Sequence, residues 1–182
     1  MKIIDTDIAD VKLIEPAVFA DDRGYFLESW SAAAFARAGL DWQFVQDNQS
    51  RSRKNVLRGL HYQIQNTQGK LVRVSAGAVF DVAVDMRRGS SSFGRWVGVE
   101  LSAENHRMLW VPPGFAHGFL SLRDDTDLAY KCTDVYAPQH DRTLVWNDPD
   151  IAIDWPLPPG EEPIVSPKDK IGQPLKTADV FA

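Results

Sequence analysis

The fold class this sequence predicts is all-β, a sandwich or barrel of short strands, and three observations predict it. Apolar and alternating runs are short and recur at near-regular spacing, turn-prone clusters separate them, and a single segment has the pattern of a helix. With 182 residues and 44% apolar content, residues 1–182 have the size of one domain whose core needs no disulfide staple. The one cysteine could not supply an internal bridge in any case.

Taken in order, the turn Asp21-Asp22-Arg23-Gly24 leads into the first run, Phe26–Trp30. A helix is expected over Ala32–Ala38, because Ser31 can cap its free amides and Gly39 can take the left-handed conformation that ends it. Strands then follow at Val56–Tyr62, Leu71–Val74 and Val79–Val84, closed by Arg88-Gly89-Ser90. Trp96–Leu101 and Leu109–Val111 come next, and Pro112-Pro113-Gly114 turns the chain towards Phe119–Leu122. Beyond Asp124-Asp125, Leu128–Cys132 and Thr143–Trp146 complete the set. Seven of the eleven prolines fall from Pro149 onward. Proline removes a ladder donor and fixes φ, so residues 149–182 are expected as a surface-wrapping tail rather than as central strands. Such a tail could carry functional groups over the mouth of a barrel.

Charge narrows the class of partner. The chain carries a net −5, yet from Asn48 to Phe80 there are six basic residues and no acidic one. Long-range repulsion argues against a nucleic-acid polymer, whereas the basic island can hold a small anion. The opening MKIIDTDIAD lacks the layout of a signal peptide, and no apolar run approaches a membrane span. A cytoplasmic protein with no membrane partner is expected.

Four segments hold residues able to do chemistry. In Leu57-Arg58-Gly59-Leu60-His61-Tyr62-Gln63, strand alternation places Leu57, Gly59, His61 and Gln63 on one face. In Val111–Phe119 a tight Pro/Gly turn delivers His117 onto the next strand. Leu128, Tyr130 and Cys132 share a face, and Tyr130 combines an apolar ring with a hydroxyl able to transfer a proton. The fourth is Ser166-Pro167-Lys168-Asp169 in the tail. The P-x-G-x-x-H pattern ending at His117 is similar to the second motif of cupin barrels, whose histidine binds metal. However, the H-x-H slot of the first motif reads His61-Tyr62-Gln63, and its glutamate position holds Lys70. An amide and an ammonium make a poor divalent-cation site, so a metal-free cavity suited to an anion is expected.

In order and spacing together, these segments closely resemble the dTDP-4-dehydrorhamnose 3,5-epimerase family. The resemblance takes in Phe19–Glu28, Phe44–Asn48, Val56–Gln63, Gln68–Arg73, Val79–Asp85, Phe93–Trp96, Pro112–Phe119 and Leu144–Asp148. It implies a double-stranded β-helix (a cupin-like jelly roll), a homodimer, no cofactor, and a dTDP-sugar with a ketone at C4 as substrate. Removing a proton from C3 or C5 of such a sugar gives an enolate, so inversion needs a base, an acid on the other face, and a cation at the oxyanion. By resemblance the catalytic residues are His61 as base, Asp169 orienting it, Lys70 at the enolate oxygen and Tyr130 as acid. Substrate contacts are implied for Arg23, Glu28, Gln46, Asp47, Asn48, Arg58, His117, Tyr136, Asp141 and Lys168. Of these, Asp141 stands where the family has a longer glutamate. Alternatives on the same barrel are a C3-only or C5-only epimerase and a 3,4-ketoisomerase. A metal-dependent cupin oxygenase would predict bound metal, and a sugar-binding jelly roll would not need an acid facing a base.

Overall fold

The strands and helices of the computed structural model, which describes all of residues 1–182, follow one another as a chain of short elements. In order they are β1 (Lys2–Asp5), β2 (Lys12–Glu15), β3 (Val18–Asp21), β4 (Gly24–Leu27), α1 (Ala32–Arg37), β5 (Gln46–Ser52) and β6 (Leu57–Gln63). Then come β7 (Lys70–Ala76), β8 (Ala78–Asp85), β9 (Trp96–Ser102), β10 (Met108–Val111), β11 (Phe115–Ser121) and β12 (Thr126–Cys132). A 3-10 turn at Pro138–His140, β13 (Asp141–Thr143) and α2 (Pro167–Lys170) complete the chain. The expected helix is present, with the Ser31 hydroxyl accepting from the Ala34 amide at 3.3 Å and Gly39 following at φ +81°.

Two antiparallel sheets face each other. One has the order β1-β2-β10-β7-β12-β5, the other β13-β6-β11-β8-β9, and β3 pairs with β4 as a separate ribbon. Neighbours such as β10 and β2, or β11 and β6, are far apart in sequence. This is the double-stranded β-helix. Strand β5, with the sequence QDNQSRS, has no apolar alternation to announce it. It is an edge strand held only by β12, and its register runs from Thr126 opposite Ser52 to Cys132 opposite Gln46.

Three apolar clusters hold the layers together. Between the sheets lie Val11, Leu13, Val72, Val79, Leu109, Phe119 and Leu128 among others. The outer face of the six-stranded sheet is covered by α1 and its flanks. There Trp42 stacks on Trp110 with ring centroids 3.8 Å apart. The outer face of the other sheet is covered by the proline-rich tail, which packs Ile151, Trp155 and Ala178 against Leu57, Leu60, Tyr62 and Leu120. As expected, the tail contains no full strand. Its bridges to the rest of the chain are isolated ones, Val56 with Ile164, Leu144 with Gln173 and Arg87 with Phe181.

One expectation is corrected. Leu57 does not share a face with His61 and Gln63, because the alternation of β6 slips by one residue. His117 pairs with His61 and Phe119 with Arg58, so three residues of β6 oppose two of β11 from one pair to the next. Gly59, at φ +122°, takes up the extra residue. Leu57 and Leu60 therefore both point outward under the tail, while Arg58 and His61 line the interior cavity. The backbones meet closely here. A Cβ on Gly59 would lie 2.6 Å from the Gly118 Cα, and one on Gly118 would lie 2.6 Å from the Arg58 carbonyl oxygen.

Gly118→Ala is accordingly expected to lower stability by about 2–3 kcal/mol, measured by urea denaturation. Gly89→Ala is the control, since open space surrounds that site, and it should change stability by less than about 0.5 kcal/mol.

Candidate active site

Polar side chains gather at one end of the interior. Lys70 lies opposite Cys132, Val72 opposite Tyr130 and Val74 opposite Leu128, so the polar ends of β7 and β12 coincide while the apolar ends continue the core. Across from them β6 and β11 set His61 beside His117. A cavity of about 500 Å³ opens between the two sheets and is lined by these groups, by Arg58 and Tyr136, and by Ser166, Lys168 and Asp169 of the tail.

His61 Nε2 lies 2.6 Å from Asp169 Oδ1. Asp169 is the one buried residue of α2, whose N-terminal Ser166 hydroxyl accepts from the Asp169 amide at 3.1 Å. Burial alone would raise the Asp169 carboxyl, but the hydrogen bond and charge of His61 outweigh it and hold the group below the usual carboxylate range. A second pair lies deeper. His117 Nε2 is 2.9 Å from Asp81 Oδ1, Asp81 is fully buried, and its other carboxylate oxygen has no hydrogen-bond partner.

Lys70 is buried, and its ammonium donates a single long hydrogen bond, 3.4 Å, to the His61 carbonyl. Burial pulls its pKa down from the ordinary lysine value. Tyr130 stands on the wall opposite His61, its ring 6.4 Å from that of His117, and burial raises its phenol. The hydroxyl is thus kept protonated. No group of three or more His, Cys, Asp or Glu side chains is arranged to hold a metal ion.

Gln63, in the slot where a cupin would place a ligand, is committed elsewhere. Its amide donates to the Asn66 and Val135 carbonyls at 2.6 and 3.2 Å, and its oxygen accepts from the Ala137 amide at 2.8 Å. Gln46 accepts from the Tyr136 amide at 2.9 Å and donates to Asn48. Both glutamines therefore hold the loop that presents Tyr136 at the cavity mouth. Arg58 reaches from β6 to the other sheet, donating to the Ser52 hydroxyl at 3.0 Å.

The structure brings His61, Lys70, Tyr130, Asp169, Arg58, His117, Tyr136, Asp141 and Lys168 around one cavity. Five other residues stand apart from it, Gln46 being the one that holds the Tyr136 amide. Asp47 faces outward from β5, paired with Lys131 at 3.0 Å, and with Asn48 lines a second hollow on the outer face of the six-stranded sheet. Asn48 also reaches inward to the Cys132 sulfur at 3.5 Å. Arg23 occupies the turn of the β3–β4 ribbon, 89% exposed and paired with Asp21, and Glu28 is exposed just beyond β4. Neither lines the cavity of its own chain. Sequence reading missed Asp81; a charged residue in inward phase within Val79–Val84 was the available signal.

Comparison with known proteins gives one answer. Residues 5–177 match the sequence profile of a family described as dTDP-4-dehydrorhamnose 3,5-epimerase. A dTDP-4-dehydrorhamnose 3,5-epimerase of Pseudomonas aeruginosa is 56% identical, covering 100% of this chain and 99% of that protein. The crystal structure of a dTDP-6-deoxy-D-glucose-3,5-epimerase from Legionella pneumophila, in complex with dTDP-4-keto-L-rhamnose, is similar with a TM-score of 0.94 and 55% identity. It covers 98% of this chain and 94% of its own. A 3'-monoepimerase from Streptomyces bikiniensis, in complex with dTDP-quinovose, is similar with a TM-score of 0.88 and 36% identity, covering 95% and 87%.

Lys70 is the group whose presence works against stability. Its ammonium is charged in the unfolded chain and costly to bury, so Lys70→Met should leave the melting temperature unchanged or raise it. Thermal melts check this, and a drop of several degrees would show that the ammonium is anchored by more than the His61 carbonyl.

Proposed function

This chain belongs to the dTDP-4-dehydrorhamnose 3,5-epimerase family, and we infer that it inverts C3 and C5 of dTDP-4-dehydro-6-deoxy-D-glucose to give dTDP-4-dehydro-L-rhamnose. The observation that carries this reading is the facing arrangement of the cavity. The His61–Asp169 pair stands on one wall, Tyr130 on the other, and the Lys70 ammonium lies between β6 and β12.

The chemistry follows from the substrate. The C4 carbonyl acidifies the hydrogens on C3 and C5, because either carbanion delocalises onto the C4 oxygen. With Nε2 committed to Asp169, His61 keeps Nδ1 as the basic nitrogen, and the carboxylate favours the imidazolium that forms when a proton is taken. The Lys70 ammonium meets the developing enolate oxygen in a low-dielectric setting, where one fixed charge is worth far more than in water. Tyr130 then gives a proton to the opposite face, which inverts the carbon. Its raised phenol suits an acid that must be protonated before it acts. No step calls for a cofactor. Arg58 and Lys168 supply cations for the diphosphate, and the exposed Tyr136 ring offers a stacking face for the base.

The homodimer is part of the same proposal. The β3–β4 ribbon stands apart from both sheets and exposes Phe19, Tyr25 and Phe26 at 65%, 58% and 69%. A two-stranded ribbon is marginal by itself, and three exposed aromatics call for a covering surface. A second copy would provide one, and would receive Arg23 and Glu28 where its own cavity lacks them.

Two experiments test these readings. Incubation with dTDP-4-dehydro-6-deoxy-D-glucose in D2O, followed by NMR, should show deuterium at both C3 and C5 of inverted product. Label at one carbon alone would make the enzyme a single-site epimerase, and no exchange by folded protein would remove the epimerase reading. His61→Asn should abolish exchange at both carbons, whereas Tyr130→Phe should retain some exchange but lose inversion. For the dimer, inactive His61→Asn protein mixed with weakened Arg23→Ala protein should recover activity through mixed dimers. If the mixture is no more active than its components, Arg23 does not serve a neighbouring site.

A further inference from the structure

Helix α2 presents a problem of anchoring. It has four residues, and Asp169 is its only buried one. Pro167, Lys168 and Lys170 are exposed, and Ile171 just beyond is 78% exposed. A helix this short has no stability of its own, and here no apolar side chain seats it. The chain on either side is fixed by backbone bridges, Ile164 with Val56 and Gln173 with Leu144, and between them α2 is held by polar ties. One is the His61–Asp169 contact itself. Another is made by its neighbour Lys168, whose ammonium is paired with Asp141 Oδ2.

Asp141 has a fixed base. It opens β13 and pairs with Gln63, two residues before Thr143 pairs with His61. Its carboxylate is nine-tenths buried, whereas the Lys168 side chain is half exposed. The same oxygen, Oδ2, also accepts from the Tyr136 hydroxyl at 3.0 Å. The β12–β13 loop, β13 five residues on, and α2, 27 residues beyond Asp141, thus meet on one carboxylate oxygen at the cavity mouth.

We propose that Asp141 is a positioning residue that ties Lys168 and Tyr136 together and, through Lys168, holds α2 so that Asp169 stays against His61. The inference deepens the base assignment and rests on it. It also changes the expected role of Asp141 from a direct substrate contact to an internal tie.

The sign of one substitution separates this tie from a simple charge effect. Removing the Lys168 cation near a histidine would, by electrostatics alone, raise the histidine's pKa. Loosening α2 does the opposite, because the imidazolium loses its carboxylate partner. The other titratable or charged groups that line the cavity with His61 are Arg58 from β6, Lys70 from β7, His117 from β11, Tyr130 from β12, Tyr136 from the loop and Asp141 from β13, and all are retained in Lys168→Met.

The experiment is an NMR titration of the His61 ring in the full-length protein without substrate. Asp169→Asn removes the carboxylate outright and sets the full fall against which the other variants are read. Lys168→Met should lower it by part of that amount. Combining Lys168→Met with Asp141→Asn should lower it no further than Asp141→Asn alone, as expected for two partners of one contact. If the His61 pKa rises or stays in place in Lys168→Met, the tie does not hold the dyad. A further fall in the double variant would likewise overturn it. The readout needs no turnover, so its failure is distinct from failure of the epimerase reading, which the D2O exchange decides.

Discussion

The close approach of β6 and β11 at Gly59 and Gly118 is the constraint on which the rest of this protein depends. Two backbones meet there at a separation that leaves no room for a Cβ on either side. The extra residue on β6 reverses its facing, and two consequences follow. His61 and Arg58 enter the cavity, while Leu57 and Leu60 become an outer apolar surface. That surface gives the proline-rich tail something to cover. The tail, once seated on it, returns to the cavity mouth with Asp169.

The interior is built with two opposed economies. Towards one end Val72, Leu109, Phe119 and Leu128 make an ordinary core. Beside it, β7 buries an ammonium with one weak partner, and β8, opposite Phe119, buries a carboxylate with one oxygen unpartnered. Buried charges left this way destabilise a fold, because the hydration they lose is not replaced. They are suited to a reaction in which negative charge appears on a bound oxygen, since the cation is already in place and need not reorganise. Asp81 gives His117 the same kind of fixed orientation that Asp169 gives His61.

The loops at the mouth are ordered by amides and carboxylates rather than by apolar packing. Gln63 and Gln46 hold the backbone on either side of Tyr136, and Asp141 holds its hydroxyl. This accounts for the residue in the cupin ligand slot. A glutamine there has donors and an acceptor in fixed relation, and all are used by the β6–β7 and β12–β13 loops.

Much of this was legible in one dimension. Alternating runs and turn clusters determined the all-β class, Ser31 and Gly39 the ends of α1, and the prolines the character of the tail, because each depends on neighbours within a few residues. The order of motifs around His61, Lys70, His117 and Tyr130 determined the family. Only the tertiary structure decided that Leu57 faces away from His61, since a bulge is a property of two paired strands and leaves the alternation of one unmarked. The family resemblance already implied Asp169 as the partner of His61; only the tertiary structure carried the two, 108 residues apart, to within 2.6 Å and set Asp81 against His117. It placed Asp141 between Tyr136 and Lys168, and left Arg23 and Glu28 outside the cavity of their own chain. Contacts of that kind depend on register and on the path of the chain between sheets, for which no local pattern exists.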